Sequence, residues 1–136
     1  MDEGNRETIL VVDDDPDFAA GLTQLLDTEG YRSIAATSGS DAMFQIGTYP
    51  LDAALIDVHL PDMDGIELAE FIRARLGPDV PILMMSGDDS TELIERLFRR
   101  DSTCFLKKPI RPNLLLYQIE KSLAKAGESP HAESEN

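Results

Sequence analysis

The hydrophobic positions of this chain form five short apolar segments, each followed by a longer segment that mixes apolar and polar residues. A continuous apolar segment rich in β-branched residues is typical of a strand that is buried on both faces. RSIAAT is more polar than the other four and predicts a weaker strand. The five predicted strands are TILVV (8–12), RSIAAT (32–37), AALID (53–57), PILMMS (81–86) and TCFL (103–106).

The segments between the strands predict helices, because their apolar residues recur every three or four positions. Their boundaries follow from residues that favour helix ends, such as proline and serine at the start and glycine at the end. The predicted helices run from Pro16 to Gly30, from Ser38-Gly39-Ser40 to before Pro50, over 66–77, from about Ser90 to Arg100, and over 112–126. The residues expected to face the core are Phe18, Leu22, Leu25 and Leu26 in the first helix; Ala42, Met43 and Ile46 in the second; Ile66, Ala69, Ile72 and Leu76 in the third; and Leu93, Leu97 and Phe98 in the fourth.

Five strand–helix pairs with short connections predict an α/β fold in three layers. Parallel strands need crossover connections, and helical crossovers cover both faces of the sheet. A length of 136 residues suits one domain with a single core. We expect this domain to span 8–126, after a flexible N-terminus (1–7) and before an acidic segment (127–136) that is either a disordered tail or the start of a linker.

Polar residues cluster at the ends of the predicted strands. Asp13 and Asp14 follow the first strand, Asp57 closes the third, Ser86 closes the fourth, and Lys108 follows the fifth. In an open parallel sheet the functional site lies beyond the carboxyl ends of the strands, where the strand order reverses. These five residues are therefore predicted to form one site.

The predicted site has the chemistry of phosphoryl transfer. Three neighbouring carboxylates repel one another, and burial raises their pKa values unless a cation neutralises them. Mg2+ suits such a shallow cluster, because it prefers oxygen ligands and keeps several waters, and Lys108 supplies a second positive charge. A phosphoryl group held by metal, hydroxyl and ammonium leaves one carboxylate to act as nucleophile and form an acyl phosphate.

The overall charge narrows the function classes. The formal net charge is −14, which disfavours direct binding to nucleic acid or to an anionic membrane. No signal peptide is visible, and no apolar run approaches the roughly 18 residues that a membrane span needs, so we expect a cytoplasmic protein. The single cysteine, Cys104, is expected to be a small buried hydrophobic residue in a reducing compartment.

Four motifs at the strand ends resemble the receiver domain of two-component response regulators, from about Thr8 to Ala126. The resemblance is specific because all four occur together, in this order and at these spacings. It implies a CheY-like (βα)5 sandwich, with a five-stranded parallel sheet of flavodoxin-like order 2-1-3-4-5 and helices on both faces. The motifs are ILVVDDDP, ALIDVHLPDMDGIEL, ILMMSGDD and CFLKKPI.

The resemblance also implies the roles of the acidic residues. Asp57 would accept a phosphoryl group from a phosphohistidine on a sensor histidine kinase or a histidine phosphotransfer protein. Asp13 and Asp14 would hold Mg2+, together with Asp57 and the backbone carbonyl of His59. The side chains of His59 and Asp88 would tune how long the phosphoryl group survives attack by water.

The remaining roles concern the conformational switch. By resemblance, Ser86 would hydrogen-bond one phosphoryl oxygen and Lys108 would pair with another, aimed by a cis peptide bond at Pro109. Phe105 would turn inward when Ser86 moves, which shifts the population of states at the fourth helix, fifth strand and fifth helix. That surface is also the candidate surface for a homodimer.

Several residues have structural interpretations beside the functional ones. Asp15, rather than Asp13 or Asp14, fits the N-cap of the helix that begins at Pro16. Phe105 would look the same in sequence as a plain core aromatic. Half of the basic residues fall in one short region, which is either a solvated helix face balanced by acids or a docking patch for an acidic partner or a second receiver. These residues are Arg96, Arg99, Arg100, Lys107, Lys108 and Arg111.

The interpretation that accounts for most residues is a phosphorylation-dependent switch rather than an enzyme. No segment is left to assign as an effector domain, so we expect either a stand-alone regulator or the receiver portion of a larger regulator or hybrid kinase. The sequence does not name the downstream protein partner. A remote alternative is a Mg2+ phosphatase of the haloacid dehalogenase type, but that family has a second acid two residues after the nucleophile, where this chain has His59. A phosphorylation-independent adaptor is disfavoured because every site position is filled.

Overall fold

One parallel sheet forms the centre of the computed structural model, which describes residues 6–97, 99 and 103–127. The elements are β1 (Thr8–Val12), α1 (Pro16–Thr28), β2 (Arg32–Ala36), α2 (Gly39–Thr48), β3 (Ala53–Asp57), α3 (Gly65–Leu76), β4 (Ile82–Ser86), α4 (Thr91–Leu97), β5 (Thr103–Lys107) and α5 (Pro112–Gly127). The strands lie in the order β2-β1-β3-β4-β5, and all neighbours pair in parallel. The predicted fold class and strand order are therefore confirmed.

Two apolar layers hold the helices against the sheet. Leu26 of α1 and Leu115 of α5 belong to the layer on one face, and Ile46 of α2, Ile72 of α3 and Leu97 of α4 belong to the layer on the other. Every residue of β1, β3 and β4 is buried, as expected for central strands. β2 lies at the edge and is partly exposed, which agrees with its weaker apolar pattern.

The predicted core is wrong at two positions. Leu76 is 38% exposed, because it is the last residue of α3 and the chain leaves the helix at Gly77, whose φ of 111° is open to glycine. Leu68 is buried instead. Cys104 is half-buried rather than fully buried, with its Sγ 3.6 Å from Oε1 of Gln118.

Some sequence predictions fall on parts of the chain that lie outside the described residues. They concern Phe98, Arg100 and most of the two termini, 1–5 and 128–136. Within the described part of the N-terminal segment, the carbonyl of Glu7 accepts a hydrogen bond from the N–H of Arg32 at 2.8 Å. No helix in the described ranges is long and apolar enough to cross a membrane.

Side-chain caps fix the loops that follow β1 and β3. Asp15 Oδ1 accepts hydrogen bonds from the N–H groups of Asp17 and Phe18, at 3.0 and 3.3 Å, so its predicted role as the N-cap of α1 is confirmed. Asp64 caps α3 by accepting the N–H of Ile66 at 2.9 Å. Each cap satisfies an N–H group that has no partner inside its helix.

The loop after β3 turns back closely on the strand because residue 65 is glycine. The N–H of Gly65 donates to the carbonyl of Val58 at 2.7 Å, and His59 and Asp64 form an antiparallel bridge across the turn. A Cβ at position 65 would collide with the carbonyl oxygen of Asp57 and lie 2.9 Å from the Cα of Val58. Both atoms belong to the backbone, so neither can rotate away.

Gly65→Ala should therefore destabilise the fold, by about 1–3 kcal/mol if the loop is forced outward. Gly21→Ala is the matched control, because Gly21 is exposed in α1 and a Cβ there meets no atom within 4 Å. The control should gain about 0.5–1 kcal/mol from helix propensity. Urea denaturation measures both effects, and a Gly65→Ala variant as stable as the wild type would contradict the steric explanation.

Candidate functional site

Asp13, Asp14 and Asp57 converge at the carboxyl edge of the sheet. One carboxylate oxygen from each lies within 4.8 Å of the others. The strand order explains why these residues meet. β2 lies on one side of β1 and β3 lies on the other, so the strand order reverses between β1 and β3. Asp13 is fully buried and Asp57 nearly so, whereas Asp14 is exposed. The cluster is thus a shallow site with one side open to solvent.

Lys108 reaches this cluster from the end of β5. Its Nζ lies 2.7 Å from Oδ2 of Asp13 and 3.2 Å from Oδ2 of Asp57. Its N–H donates to the carbonyl of Ser86 at 2.8 Å, which places the backbone after β5 against the end of β4. The Lys108–Pro109 peptide bond is cis, as the resemblance implies. The sheet therefore brings Asp13, Asp14, Asp57 and Lys108 together, and Ser86 is joined to this group through its backbone carbonyl.

The side chain of the neighbouring Lys107 points away from the acidic cluster. Lys107 is exposed, and its Nζ lies 4.0 Å from Oδ2 of Asp89. Successive residues of a strand point to opposite faces, which separates the two lysines. This geometry agrees with the assignment of Lys108 to the site.

The pKa values show how the charges in the cluster interact. Burial raises the pKa of Asp57 and the charge of Asp13 adds to this, while the N–H of His59 and the ammonium of Lys108 oppose the rise without cancelling it. For Lys108, burial lowers the pKa, but the hydrogen bond to Asp13 and the charges of Asp57 and Asp13 outweigh it, so the net pKa is raised. Lys108 thus stays protonated, and its ammonium contacts two of the three carboxylates.

The donor set fits a hard divalent cation such as Mg2+. All three side chains offer carboxylate oxygens close together, and exposed Asp14 leaves room for the waters that Mg2+ retains. The cluster keeps an excess of negative charge after Lys108 is counted. The other expected ligand, the carbonyl of His59, belongs to the residue whose N–H donates to Oδ1 of Asp57 at 3.1 Å.

Ser86 and Asp88 line the neighbouring edge at the end of β4. Buried Ser86 accepts the N–H of Asp88 at its Oγ, at 2.9 Å, and Asp88 accepts the N–H of Ser90 at 2.9 Å. The latter bond, with the nearby His59, lowers the pKa of Asp88. Nε2 of His59 lies 3.6 Å from Oδ2 of Asp88. The two residues expected to tune the phosphoryl lifetime therefore face each other, a pairing that the sequence analysis did not predict.

Phe105 and the basic region lie farther from the carboxylates. Phe105 is half-buried and packs against the apolar layer of α2, α3 and α4. Nη2 of Arg96 lies 2.6 Å from Oδ2 of Asp64, so this arginine binds within the domain. Burial opposes the effect, but that hydrogen bond and the N–H of Ile66 lower the pKa of Asp64. Lys108 is likewise engaged, at the acidic cluster, and the choice between a solvated helix face and a docking patch of the exposed basic residues stays a prediction.

One residue beside the site was missed by sequence reasoning. The ring of Phe18 lies under the ammonium of Lys108, with Nζ 4.4 Å from the ring centroid. Its helical spacing correctly predicts a side chain that faces inward. Periodicity alone does not predict that its neighbour there is a charged group.

Comparison with known proteins identifies the family. The family model described as "Response regulator receiver domain" matches residues 9–120. The chain is 32% identical over 125 residues to the DNA-binding response regulator MtrA of Mycolicibacterium smegmatis, and 31% identical over 132 residues to the two-component response regulator ORR21 of Oryza sativa subsp. indica. These alignments cover 92% and 93% of this chain, but 54% and 19% of those proteins. The chain thus spans about half of one relative and a fifth of the other.

Solved structures show the same relationship. A CheY-like response regulator receiver domain protein from Methanospirillum hungatei superposes with a TM-score of 0.84 at 30% identity, covering 91% of this chain and 98% of that one. The chemotaxis protein CheY4 of Vibrio cholerae superposes with a TM-score of 0.80 at 26% identity, covering 86% and 98%. With the matching sheet order and the acidic cluster at its reversal point, these findings establish that the chain belongs to the response regulator receiver domain family of two-component signalling.

Proposed function

We propose that this receiver is phosphorylated on Asp57 by a sensor histidine kinase or a histidine phosphotransfer protein. The observation that carries the proposal is the position of the Asp57 carboxylate, which is nearly buried and shares the ammonium of Lys108 with the carboxylate of Asp13. The ammonium of Lys108 offsets only part of the charge on Asp57, and the pKa of Asp57 is raised. Both properties suit a nucleophile rather than a structural ion pair.

In the proposed transfer, an oxygen of Asp57 forms the new bond to phosphorus. The bond from phosphorus to the imidazole nitrogen of the donor breaks, and the leaving imidazole takes a proton from solvent. Negative charge on the peripheral oxygens calls for fixed donors. Lys108 supplies an ammonium, and the hydroxyl of Ser86 keeps its proton to donate, because its Oγ acts as acceptor toward Asp88.

The cofactor in this proposal is Mg2+, held by Asp13, Asp14 and Asp57 with the carbonyl of His59. The bound ion would supply positive charge to the phosphoryl oxygens and offset the repulsion among the carboxylates. The close approach of the three carboxylates, two of which share the ammonium of Lys108, supports this assignment.

The output would follow from the contacts that Ser86 and Lys108 exchange. A phosphoryl group on Asp57 gives both residues a new partner, and this difference between the two states shifts the equilibrium. Phe105 lies in β5 and packs against the apolar layer that includes α4. We therefore propose that the change of conformation alters the surface of α4, β5 and α5, and that partners bind there. Tyr117, which is 55% exposed on α5, belongs to this surface, and a homodimer through it is part of the proposal.

In this proposal the protein is a cytoplasmic switch that assists its own phosphoryl transfer, rather than an enzyme that acts on a separate substrate. The greater length of the curated relatives supports a receiver that controls an attached output segment, and contact with a separate downstream partner is the other arrangement. The net charge of −14 disfavours direct binding of nucleic acid by this domain. The family match favours this reading over a haloacid-dehalogenase-type phosphatase.

Incubation with Mg2+ and acetyl phosphate should add the mass of one phosphoryl group to the wild type and none to Asp57→Asn. Intact-mass spectrometry measures the change. Asp79→Asn is the matched control, because Asp79 is exposed and lies outside the cluster, and it should be modified like the wild type. Modification of Asp57→Asn to the wild-type extent would rule out Asp57 as the acceptor. A wild type that gains no mass from acetyl phosphate or from phosphorylated kinases would overturn the proposed function.

Asp57→Asn should also be more stable than the wild type at pH 7 in EDTA. The folded-state pKa of Asp57 lies above that of a free carboxyl group, so its ionisation costs stability as the pH rises. The extra stability of Asp57→Asn should vanish below about pH 4, where Asp57 is protonated in both the folded and the unfolded wild type. Urea denaturation across this range tests the sign, with Asp79→Asn expected to change little.

Saturating Mg2+ should reduce that advantage, because the ion stabilises the folded wild type more than the variant that lacks one ligand. Two results would contradict the charge arrangement described above. One is an Asp57→Asn variant less stable than the wild type in EDTA at pH 7, and the other is equal stabilisation of both proteins by Mg2+.

A further inference from the structure

The ammonium of Lys108 has an aromatic neighbour as well as two acidic ones. Its Nζ lies 4.4 Å from the ring centroid of Phe18, inside the range of roughly 6 Å over which a cation is attracted to an aromatic face. The side chain of Lys108 is 25% exposed, so the ring shields a charge that is already partly removed from water. Phe18 itself is half-buried against the layer of α1 and α5.

The position of the ring is tied to the acidic cluster through the backbone. The N–H of Asp15 donates to Oδ1 of Asp13 at 2.9 Å, and Oδ1 of Asp15 accepts the N–H of Phe18 at 3.3 Å. Pro16 restricts the backbone between them at the start of α1. The first turn of α1 therefore presents the ring at a defined place beside the site.

The three contacts of the ammonium differ in what else they do. Asp13 and Asp57 are also the proposed ligands of Mg2+, and Asp57 is the proposed acceptor, so both give up part of their negative charge when the site is loaded. Phe18 has no such second role. Its attraction for the ammonium is the contact that persists when the carboxylates are engaged elsewhere.

We propose that Phe18 is a positioning residue, whose ring holds the ammonium of Lys108 at the site while Mg2+ and the phosphoryl group compete for Asp13 and Asp57. The inference rests on the proposed function and adds to it a contribution from α1. A lysine left without the ring would spend more time in solvent and would meet the phosphoryl oxygens less often.

The contact itself is tested in the metal-free protein by NMR of the lysine side chains. The ring current of Phe18 should shift the signals of the Lys108 ε-methylene upfield. Phe18→Leu should remove this shift and Phe18→Tyr should keep it. Phe71→Leu is the matched control, because Phe71 stacks on Arg75 at 4.9 Å, in α3 rather than beside the carboxylates.

The functional arm compares phosphorylation rates with acetyl phosphate and Mg2+ affinities of the same proteins. Phe18→Leu should slow phosphorylation by about three- to tenfold, the size expected of one partly desolvated cation–π contact. Its Mg2+ affinity should be unchanged or tighter, because the carboxylates remain and the repelling ammonium is held less firmly. Phe18→Tyr and Phe71→Leu should match the wild type in both measurements.

Four results would overturn the positioning role: an unshifted Lys108 signal in the wild type, equal rates for the wild type and Phe18→Leu, a Phe18→Tyr variant as slow as Phe18→Leu, or a loss of Mg2+ affinity parallel to the loss of rate. The last pattern would mean that the whole site is distorted. A wild type that takes up no phosphoryl group removes the proposed function and this role with it. A phosphorylated wild type with an equally fast Phe18→Leu removes this role alone.

Discussion

The ammonium of Lys108 between the carboxylates of Asp13 and Asp57 is the interaction on which the rest of the site depends. Removing one partner of a buried charged group leaves an uncompensated charge and typically costs about 3–5 kcal/mol. Asp13 is fully buried, so its pairing with the lysine contributes to the stability of the fold even before any chemistry takes place. One ammonium does not balance three carboxylates, and this excess of negative charge is what the proposed Mg2+ would offset.

The loop that follows Asp57 is connected to three helices as well as to its own strand. Asp62 accepts the N–H groups of Gly39 and Ser40 at 2.8 and 3.0 Å, which ties the loop to the start of α2, and these bonds lower the pKa of Asp62. Asp64 pairs with Arg96 of α4 and caps α3. A change of charge at Asp57 would therefore act next to a loop that is bound to helices on both sides of the site.

The central strands and their ends perform different tasks. β1, β3 and β4 are buried along their whole length, and this rigid apolar interior holds the strand ends at fixed separations. The polar groups stand where each strand leaves the core, with one side open to solvent. Such a division allows the contacts of Ser86 and Lys108 to change while the sheet stays intact, which is what a two-state response requires.

The sequence by itself determined the strands, the helices, the cap at Asp15 and the residues at the strand ends. These features depend on local patterns and on the rule that parallel strands end at one edge of a sheet. Only the tertiary structure decided that Leu76 is exposed and Leu68 buried, because periodicity gives the stripe of a helix but not the point where that stripe leaves the core.

The tertiary structure also decided which distant side chains meet: Phe18 with Lys108, His59 with Asp88, and Arg96 with Asp64. Each pair joins residues from different elements. Their contact depends on how α1, α4 and the loops pack around the sheet, and no local pattern carries that information.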